Sequence, residues 1–482
     1  MEQTNSKNYG SALLTLITVF FFWGFVAASN DILIPVFKEK LNLEQWQSQM
    51  ISFAFYFAYT VGSLIYFFIS KARGGDILNH FGYKNGIAIG LVISALGTLL
   101  FYPAAESASF YLMISGLFIV GLGFSLQQIA ANALAVALGD PKTGAQRLSL
   151  AGGVNNFGTT IGPLLVSLAI FGSVSANSQV ADISMVKFPY LILGALFIVV
   201  AVIFKFSSVP NKIENITEEE VTTVKGNDRK SAINYLQLSL GMIAIFVYVG
   251  VEVSTASNLP AYMKEKLNIP TANIAPFISL YWASLMIGRW TASIGAFNLT
   301  GGAKKILRFV MPYIAFAVFL AVNKMAQHDV TPFYIYAAVV FVLIIADLLS
   351  RGNPARQLLI FSGCAVVALF IGMFTTGMVS VFAFVSVGLF CSTLWPCIYT
   401  LAVTGLGRHT NEGSSFLIMM IMGGGFISLL QGYLADHFLG IQFSYLVGVG
   451  CFVYLAFYAI RAKSALKDQG IDFDAVEVKG GH

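Results

Sequence analysis

Charge is what this sequence has least of. Asp, Glu, Lys and Arg make up 11% of the 482 residues, against about 25% in soluble domains, which excludes an ordinary water-soluble fold. Histidine is nearly as scarce. All five, His80, His328, His409, His437 and His482, fall in polar connections or the tail, so no histidine metal site or catalytic centre has a candidate inside the apolar segments. The four cysteines, Cys364, Cys391, Cys397 and Cys451, all sit in apolar runs and read as small buried hydrophobes, not as disulfides or metal ligands. No Gly-rich loop leads into Lys-Ser/Thr, so no built-in ATPase is expected. No Gly-x-Ser-x-Gly elbow is present either. These absences weigh against a membrane enzyme. Short alternating strands are also missing, which disfavours an outer-membrane barrel.

Apolar runs of about 20 residues, the length that crosses about 30 Å of hydrocarbon as a helix, recur from end to end. Hydrophobic residues reach 57%. The expected fold is an all-α polytopic membrane protein with 14 transmembrane helices. Spans are expected at 11–37, 48–70, 85–104, 110–138, 148–174 and 188–206, and again at 235–260, 272–298, 305–323, 331–349, 355–374, 378–405, 414–435 and 441–461. Val26 and Ala28 mimic a signal-peptidase site, but the apolar run continues past them, so a retained span is expected. Between the two sets lies Ser207 to Ser231, with Glu218, Glu219, Glu220, Lys225, Asp228, Arg229 and Lys230, too polar to bury a core. With the N-terminus inside, 21 of the 28 Lys and Arg residues fall on inner segments and six on outer ones. That bias places both termini in the cytoplasm. A net charge of +5 spread over short loops is a topology signal and gives no reason to expect nucleic acid.

Three segments repeat. Lys38-Glu39-Lys40-Leu41-Asn42-Leu43 returns as Lys264-Glu265-Lys266-Leu267-Asn268-Ile269, Ala28-Ser29-Asn30 as Ala256-Ser257-Asn258, and Leu134-Ala135-Val136 as Leu401-Ala402-Val403. Matching topological places and equal orientation predict duplicated halves, with a site between them near the midplane. The repeat spacing grows by about 40 residues before Leu401, so two extra spans are inserted there. The expected organisation is an N-terminal six-helix half (1–206), a cytoplasmic linker (207–234), the first two helices of the C-terminal half (235–302), an inserted helical hairpin (303–350), the last four helices (351–461) and a cytoplasmic tail (462–482).

Polar side chains inside the spans are the candidates for function. Asn30-Asp31 sits in the first apolar run, where an ionised carboxylate costs about 2.5–3.5 kcal/mol on insertion scales. Asp31 either lines a substrate or ion path or marks the outer end of its helix. Glu252, on a stripe with Tyr248 and Thr255, is a second bare carboxylate. Ser125, Gln128 and Asn132 share a helix face with Gln127 beside it, and Asn155, Asn156 and Thr159 share another. Trp282 and Trp395-Pro396 add aromatics. Amides with aromatic faces and few carboxylates suit a neutral polyhydroxylated ligand; the alternative is that the amides join helices. Arg289, near the inner end of its span, is expected to snorkel or pair at the cytoplasmic rim.

Several stretches resemble the fucose permease family of the major facilitator superfamily. They are Asn30-Asp31-Ile32-Leu33-Ile34-Pro35, Gly82-Tyr83-Lys84-Asn85-Gly86, Ala130-Ala131-Asn132, Arg147-Leu148-Ser149-Leu150-Ala151 with Asn155-Asn156-Phe157-Gly158, Tyr248-Val249-Gly250, Gly288-Arg289 and Gly413-Ser414-Ser415-Phe416. The resemblance implies a major facilitator fold of two six-helix halves, with the hairpin added. It places Asp31 on the family's proton-linked aspartate, Asn155 on a polar cavity residue and Trp395 on a cavity aromatic. Gln128 stands where fucose carriers have a glutamate. It looks like the glucose and galactose side of the family, as does Glu252. The superfamily signature after the second span keeps Gly75, Gly82 and Lys84 but carries Asn79, His80 and Tyr83 in place of its Asp and Arg residues.

The expectation is a secondary active importer of a neutral monosaccharide, a hexose such as glucose, galactose or fucose, driven by H+ or Na+ and working by alternating access. Asp31 and Glu252 would couple the cation. Asn30, Gln127, Gln128, Asn132, Asn155, Asn156, Trp282 and Trp395 would bind sugar. No other cofactor or metal is expected, and the protein would be a monomer in the plasma membrane, the inner membrane if the source is Gram-negative. The alternatives are an exporter or facilitator of another small polar solute, and a non-transporting sugar sensor of the same fold.

Overall fold

A hydrocarbon solvent leaves backbone N–H and C=O groups no partner but each other, which favours long helices. The computed structural model describes residues 10–40, 45–139, 143–171, 187–211, 229–269, 274–297, 299 and 301–474, with the side chains at 27–40, 45–52, 163–171, 189 and 275 outside the description. The described residues are helical throughout, without strands. Up to the linker the helices are α1 (Gly10–Lys40), α2 (Gln45–Ala72), α3 (Ile77–Phe81), α4 (Tyr83–Leu99), α5 (Phe101–Glu106), α6 (Phe110–Ala137), α7 (Gly144–Phe171) and α8 (Lys187–Phe206). After it come α9 (Leu236–Leu267), α10 (Ala275–Ser293), α11 (Gly301–Met325), α12 (Tyr336–Ser350), α13 (Pro354–Phe374), α14 (Gly377–Cys391), α15 (Leu394–Val403), α16 (Thr410–Met419), α17 (Gly423–Leu434), α18 (Gly440–Phe443) and α19 (Leu446–Asp468). Among the described residues, ten helical segments are long and apolar enough to cross a membrane. Gly10–Val26 and Tyr190–Phe206 are shorter apolar helical stretches.

Local chemistry sets the helix ends. Asp76 caps α3, its Oδ1 accepting from Leu78 N at 2.8 Å and from the Tyr66 hydroxyl at 2.7 Å. Burial nevertheless pushes this carboxyl above the ordinary aspartate range. Asn353 caps α13 by accepting from Ala355 N and Arg356 N, with Pro354 in the first turn. Asn268 ends α9 in the left-handed conformation (φ 52°), as Arg351 ends α12 (φ 51°).

α1 packs along α7, α2 and α4 along α6, and α4 along α8. The later helices repeat the scheme: α9 packs along α17, α10 and α13 along α14, and α13 along α19. Glycine makes the first of these contacts close. A Cβ on Gly24 would lie 1.9 Å from the Asn155 carbonyl oxygen, and one on Gly158 would lie 2.4 Å from that of Phe21, the small-residue packing of helices in lipid. The two sets meet where α7 lies on α10 and where α2 and α6 lie on α16.

α11 lies along α10, and α12 along α13, with further contacts to α10 and α14. Tyr336 and Ser284 hydroxyls are 2.8 Å apart, and Asn323 Nδ2 donates to Ser279 Oγ at 3.2 Å. The rings of Phe277, Phe319 and Phe333 fill the space between. The opposite face of the pair exposes Ile306, Phe309, Val342 and Ile345, as a lipid-facing surface would. Asp347 is buried, 3.9 Å from Arg308 and accepting from Gln357 Nε2 at 3.3 Å.

Overpacking a close helix contact costs about 1–3 kcal/mol or more. Gly24→Val is therefore expected to lower the thermal midpoint of the detergent-purified protein by several degrees. Gly450→Val, at a site with nothing within 4 Å, should leave it nearly unchanged. Equal midpoints would remove the α1–α7 contact as a determinant of stability.

Candidate functional site

Two polar clusters lie inside the bundle. The first joins α1, α2, α4 and α6. Trp23 Nε1 donates to Gln127 Oε1 at 2.6 Å, and Gln127 Nε2 donates to Ser94 Oγ at 2.9 Å. Both ends of Gln127 are thus engaged and it is 0% exposed, which makes it a helix-joining amide in this arrangement. Its neighbour differs. Gln128 is half-buried, and its Nε2 donates to the Tyr59 hydroxyl at 3.1 Å. The face shared by Ser125, Gln128 and Asn132 is turned partly to α2, since Ser125 Oγ donates to the Tyr59 carbonyl and meets Ser63 Oγ at 3.1 Å. Asn132 is buried.

The second cluster joins α7, α9, α10, α14 and α15. Glu252 is half-buried on α9 between buried neighbours such as Val251 and Ser254. Tyr248 lies one turn earlier on the same face, and the Tyr281 hydroxyl donates to the Glu252 carbonyl at 2.8 Å. The Trp395 ring stands 6.3 Å from Tyr248 and stacks on Tyr399 at 6.4 Å. It keeps partial exposure, as does Trp282. Asn156 is buried and accepts from Arg289 Nη1 at 2.7 Å. Asn155, also half-buried, instead donates to the Phe20 carbonyl at 2.9 Å, holding α7 to α1. Arg289 pairs with neighbouring groups at this end of the bundle. Its guanidinium crosses from α10 to α7, and its Nε donates to the Ser392 carbonyl at 2.9 Å. That carbonyl is free because Pro396, four residues on, has no N–H to donate to it.

Asn30 and Asp31 lie on α1 at positions whose side chains are outside the described residues. Sequence reasoning missed Trp23, Tyr59 and Tyr281, and gave Arg289 no named partner. The signals were present as a tryptophan within a phenylalanine run and as Gly288-Arg289-Trp290 facing the Gly152-Gly153 pair.

Among the described residues, side-chain hydrogen bonds join the two sets of helices at the end nearest the linker. The Tyr83 hydroxyl donates to Asn411 Oδ1 at 2.6 Å, and Asn411 Nδ2 donates to Asn79 Oδ1 at 3.1 Å. Ser414 Oγ donates to the Ile129 carbonyl at 3.0 Å, and Trp290 Nε1 to the Gly153 carbonyl at 3.0 Å. Glu412 anchors the linker itself, accepting from Ser231 Oγ and Ala232 N. Among the described residues, no group of three His, Cys, Asp or Glu side chains is placed to hold a metal ion.

A helical bundle with half-buried amides, rings and an acid in its interior defines a membrane carrier of small polar solutes in class. The Major Facilitator Superfamily model matches residues 12–326, and the chain belongs to that superfamily, a family of transporters rather than enzymes. It is 33% identical over 461 residues to a glucose/galactose transporter of Brucella abortus, covering 95% of this chain and 96% of the relative. It is 27% identical to the L-fucose-proton symporter of Escherichia coli K12, over 95% of each. The crystal structure of FucP in the outward conformation superposes with a TM-score of 0.70 at 24% identity, covering 93% of this chain and 98% of that one, and so shares the fold.

Loss of an interior aromatic should separate ligand binding from stability. Trp395→Ala is expected to weaken hexose affinity tenfold or more in purified protein, while Trp395→Phe keeps it within about threefold. Unchanged affinity in the alanine variant would remove Trp395 from the site.

Proposed function

We propose that this chain is a secondary active carrier that imports a neutral hexose, of the glucose, galactose or fucose type, together with a cation by alternating access. The observation that carries the reading is a half-buried amide, Gln128, in one polar cluster and a half-buried ring and acid, Trp395 and Glu252, in the other, inside a bundle similar along 95% of its length to a glucose/galactose transporter. Neutral amides give hydrogen bonds to sugar hydroxyls and aromatic faces cover the apolar side of the ring. The proton is favoured as the driving ion, because one relative is named for proton symport and a carboxylate can alternate between charged and neutral.

The proposed arrangement is two six-helix halves, residues 1–206 and 235–461, related by the repeated packing scheme. The hairpin of residues 303–350 is inserted against the outside of the second half. Fourteen spans with both termini in the cytoplasm follow from the charge bias. The linker end of the bundle is then cytoplasmic, and its hydrogen bonds close the inner side of the path. The protein would act as a monomer in the bacterial inner membrane.

Reconstituted vesicles with labelled hexoses and imposed pH or Na+ gradients test this. Accumulation of one hexose driven by an inward proton gradient is expected. Exchange without accumulation would mark a facilitator, and binding without flux a sensor; either overturns the proposal. Asp31→Asn is expected to abolish gradient-driven accumulation and to leave hexose exchange within about tenfold of the parent, since only the acid can change charge during the cycle. Full accumulation in that variant would remove Asp31 from coupling. Cysteine labelling is expected to place Lys324 and Lys205 on opposite faces of the membrane; labelling from the same face would refute the topology.

A further inference from the structure

We propose that Tyr59 is a positioning residue of the sugar site: its hydroxyl holds one end of the Gln128 amide, so that the other end meets a ligand hydroxyl in the interior. This rests on the hexose-carrier reading.

Two adjacent glutamines supply the contrast. The amide of Gln127 is engaged at both ends, by Trp23 and by Ser94, and is fully buried. The amide of Gln128 is engaged at its nitrogen, which donates to the Tyr59 hydroxyl at 3.1 Å. Helix α6 is surrounded by α1, α2, α4, α7 and α16. The half-buried Gln128 therefore keeps its exposure toward the interior of the bundle and not toward lipid. An amide carries its donor and its acceptor on opposite sides of one planar carbon. Fixing the nitrogen against α2 turns the oxygen away from α2, as an acceptor that a sugar hydroxyl can satisfy.

Tyr59 can hold an amide because it is itself held. It is buried, and the Phe55 ring stands edge-on to it at 5.4 Å. On either side of it, glycine lets α2 and α6 press together. A Cβ on Gly121 would lie 2.6 Å from that of Ala58, and one on Gly62 would lie 2.7 Å from that of Ser125. Ser125 Oγ donates to the carbonyl of Tyr59 itself at 3.1 Å and meets Ser63 Oγ at 3.1 Å. The phenol is thus clamped before, at and after its place on α2. An amide ordered by such a neighbour loses less freedom when a ligand arrives. The next residue, Thr60, faces the second set of helices and donates to the Met419 carbonyl at 3.2 Å, so the two side chains on one turn of α2 have separate partners.

The test measures hexose binding to the full chain in nanodiscs. D-glucose, D-galactose and L-fucose are compared first, then the monodeoxy derivatives of the tightest binder. Each deoxy position gives a ratio of dissociation constants, and a hydroxyl that meets a protein acceptor is expected to give a ratio of about fivefold or more. In Gln128→Ala one such ratio should collapse toward unity, which identifies the hydroxyl that meets this amide. Tyr59→Phe, which removes a single oxygen, should collapse the same ratio and leave the others within about twofold of the parent's. Thr60→Val should keep every ratio. The Tyr59→Phe/Gln128→Ala double variant should bind no more weakly than Gln128→Ala alone, because Tyr59 acts through the amide. A Tyr59→Phe protein that keeps the Gln128-dependent ratio overturns this inference alone. So does a uniform loss at all positions, the mark of a loosened helix, or additive losses in the double variant. Ratios untouched by Gln128→Ala defeat the placing of Gln128 at the sugar, and this inference with it. A parent that binds none of the three hexoses defeats the carrier reading and this inference together.

Discussion

The structure depends on one constraint: hydrocarbon offers no partner to a polar group, so each must find one inside the protein. The backbone meets it by staying helical. Side chains meet it by gathering where helices face each other. Trp23, Gln127 and Ser94 form one such chain of bonds. Arg289, Asn156 and Ser392 form another. Where a helix breaks, the freed carbonyl is used, as Pro396 leaves that of Ser392 to Arg289.

The same constraint distributes the contacts unevenly. Within each set of helices, packing is close and glycine-lined, as at Gly24 and Gly158 against α7 and α1. Between the sets, the contacts at the linker end are single hydrogen bonds from Tyr83, Asn411, Ser414 and Trp290. Hydrogen bonds contribute about 0.5–1.5 kcal/mol each, enough to hold one arrangement and few enough to exchange for another. The superfamily signature is altered at this place: Tyr83 and Asn79 bond Asn411 through neutral groups, where the resemblance implies charged ones.

The helical class and ten of the apolar spans were legible in the sequence because apolar run length is a direct reading of bilayer thickness. The two helices that the repeat spacing sets apart, α11 and α12, lie along α10 and α13. Side-chain direction was not legible. Gln127 and Gln128 are adjacent, yet one is locked between Trp23 and Ser94 while the other meets Tyr59 and stays half-buried. Asn155 and Asn156 likewise part, one to α1 and one to Arg289. A helical period assigns a face but not the distant partner that waits there. Arg289 shows it most clearly, since its partners on α7 and α14 lie more than a hundred residues away.

The central claim is that the linker-end seam is closed in this structure and must open for transport. A cleavable bifunctional thiol reagent joining Asn79→Cys to Asn411→Cys, with the native cysteines replaced by serine, tests it. The account predicts that the linked protein still binds hexose from the outer face, moves none across the membrane, and recovers full flux when the link is reduced. Undiminished flux through the linked protein would contradict it.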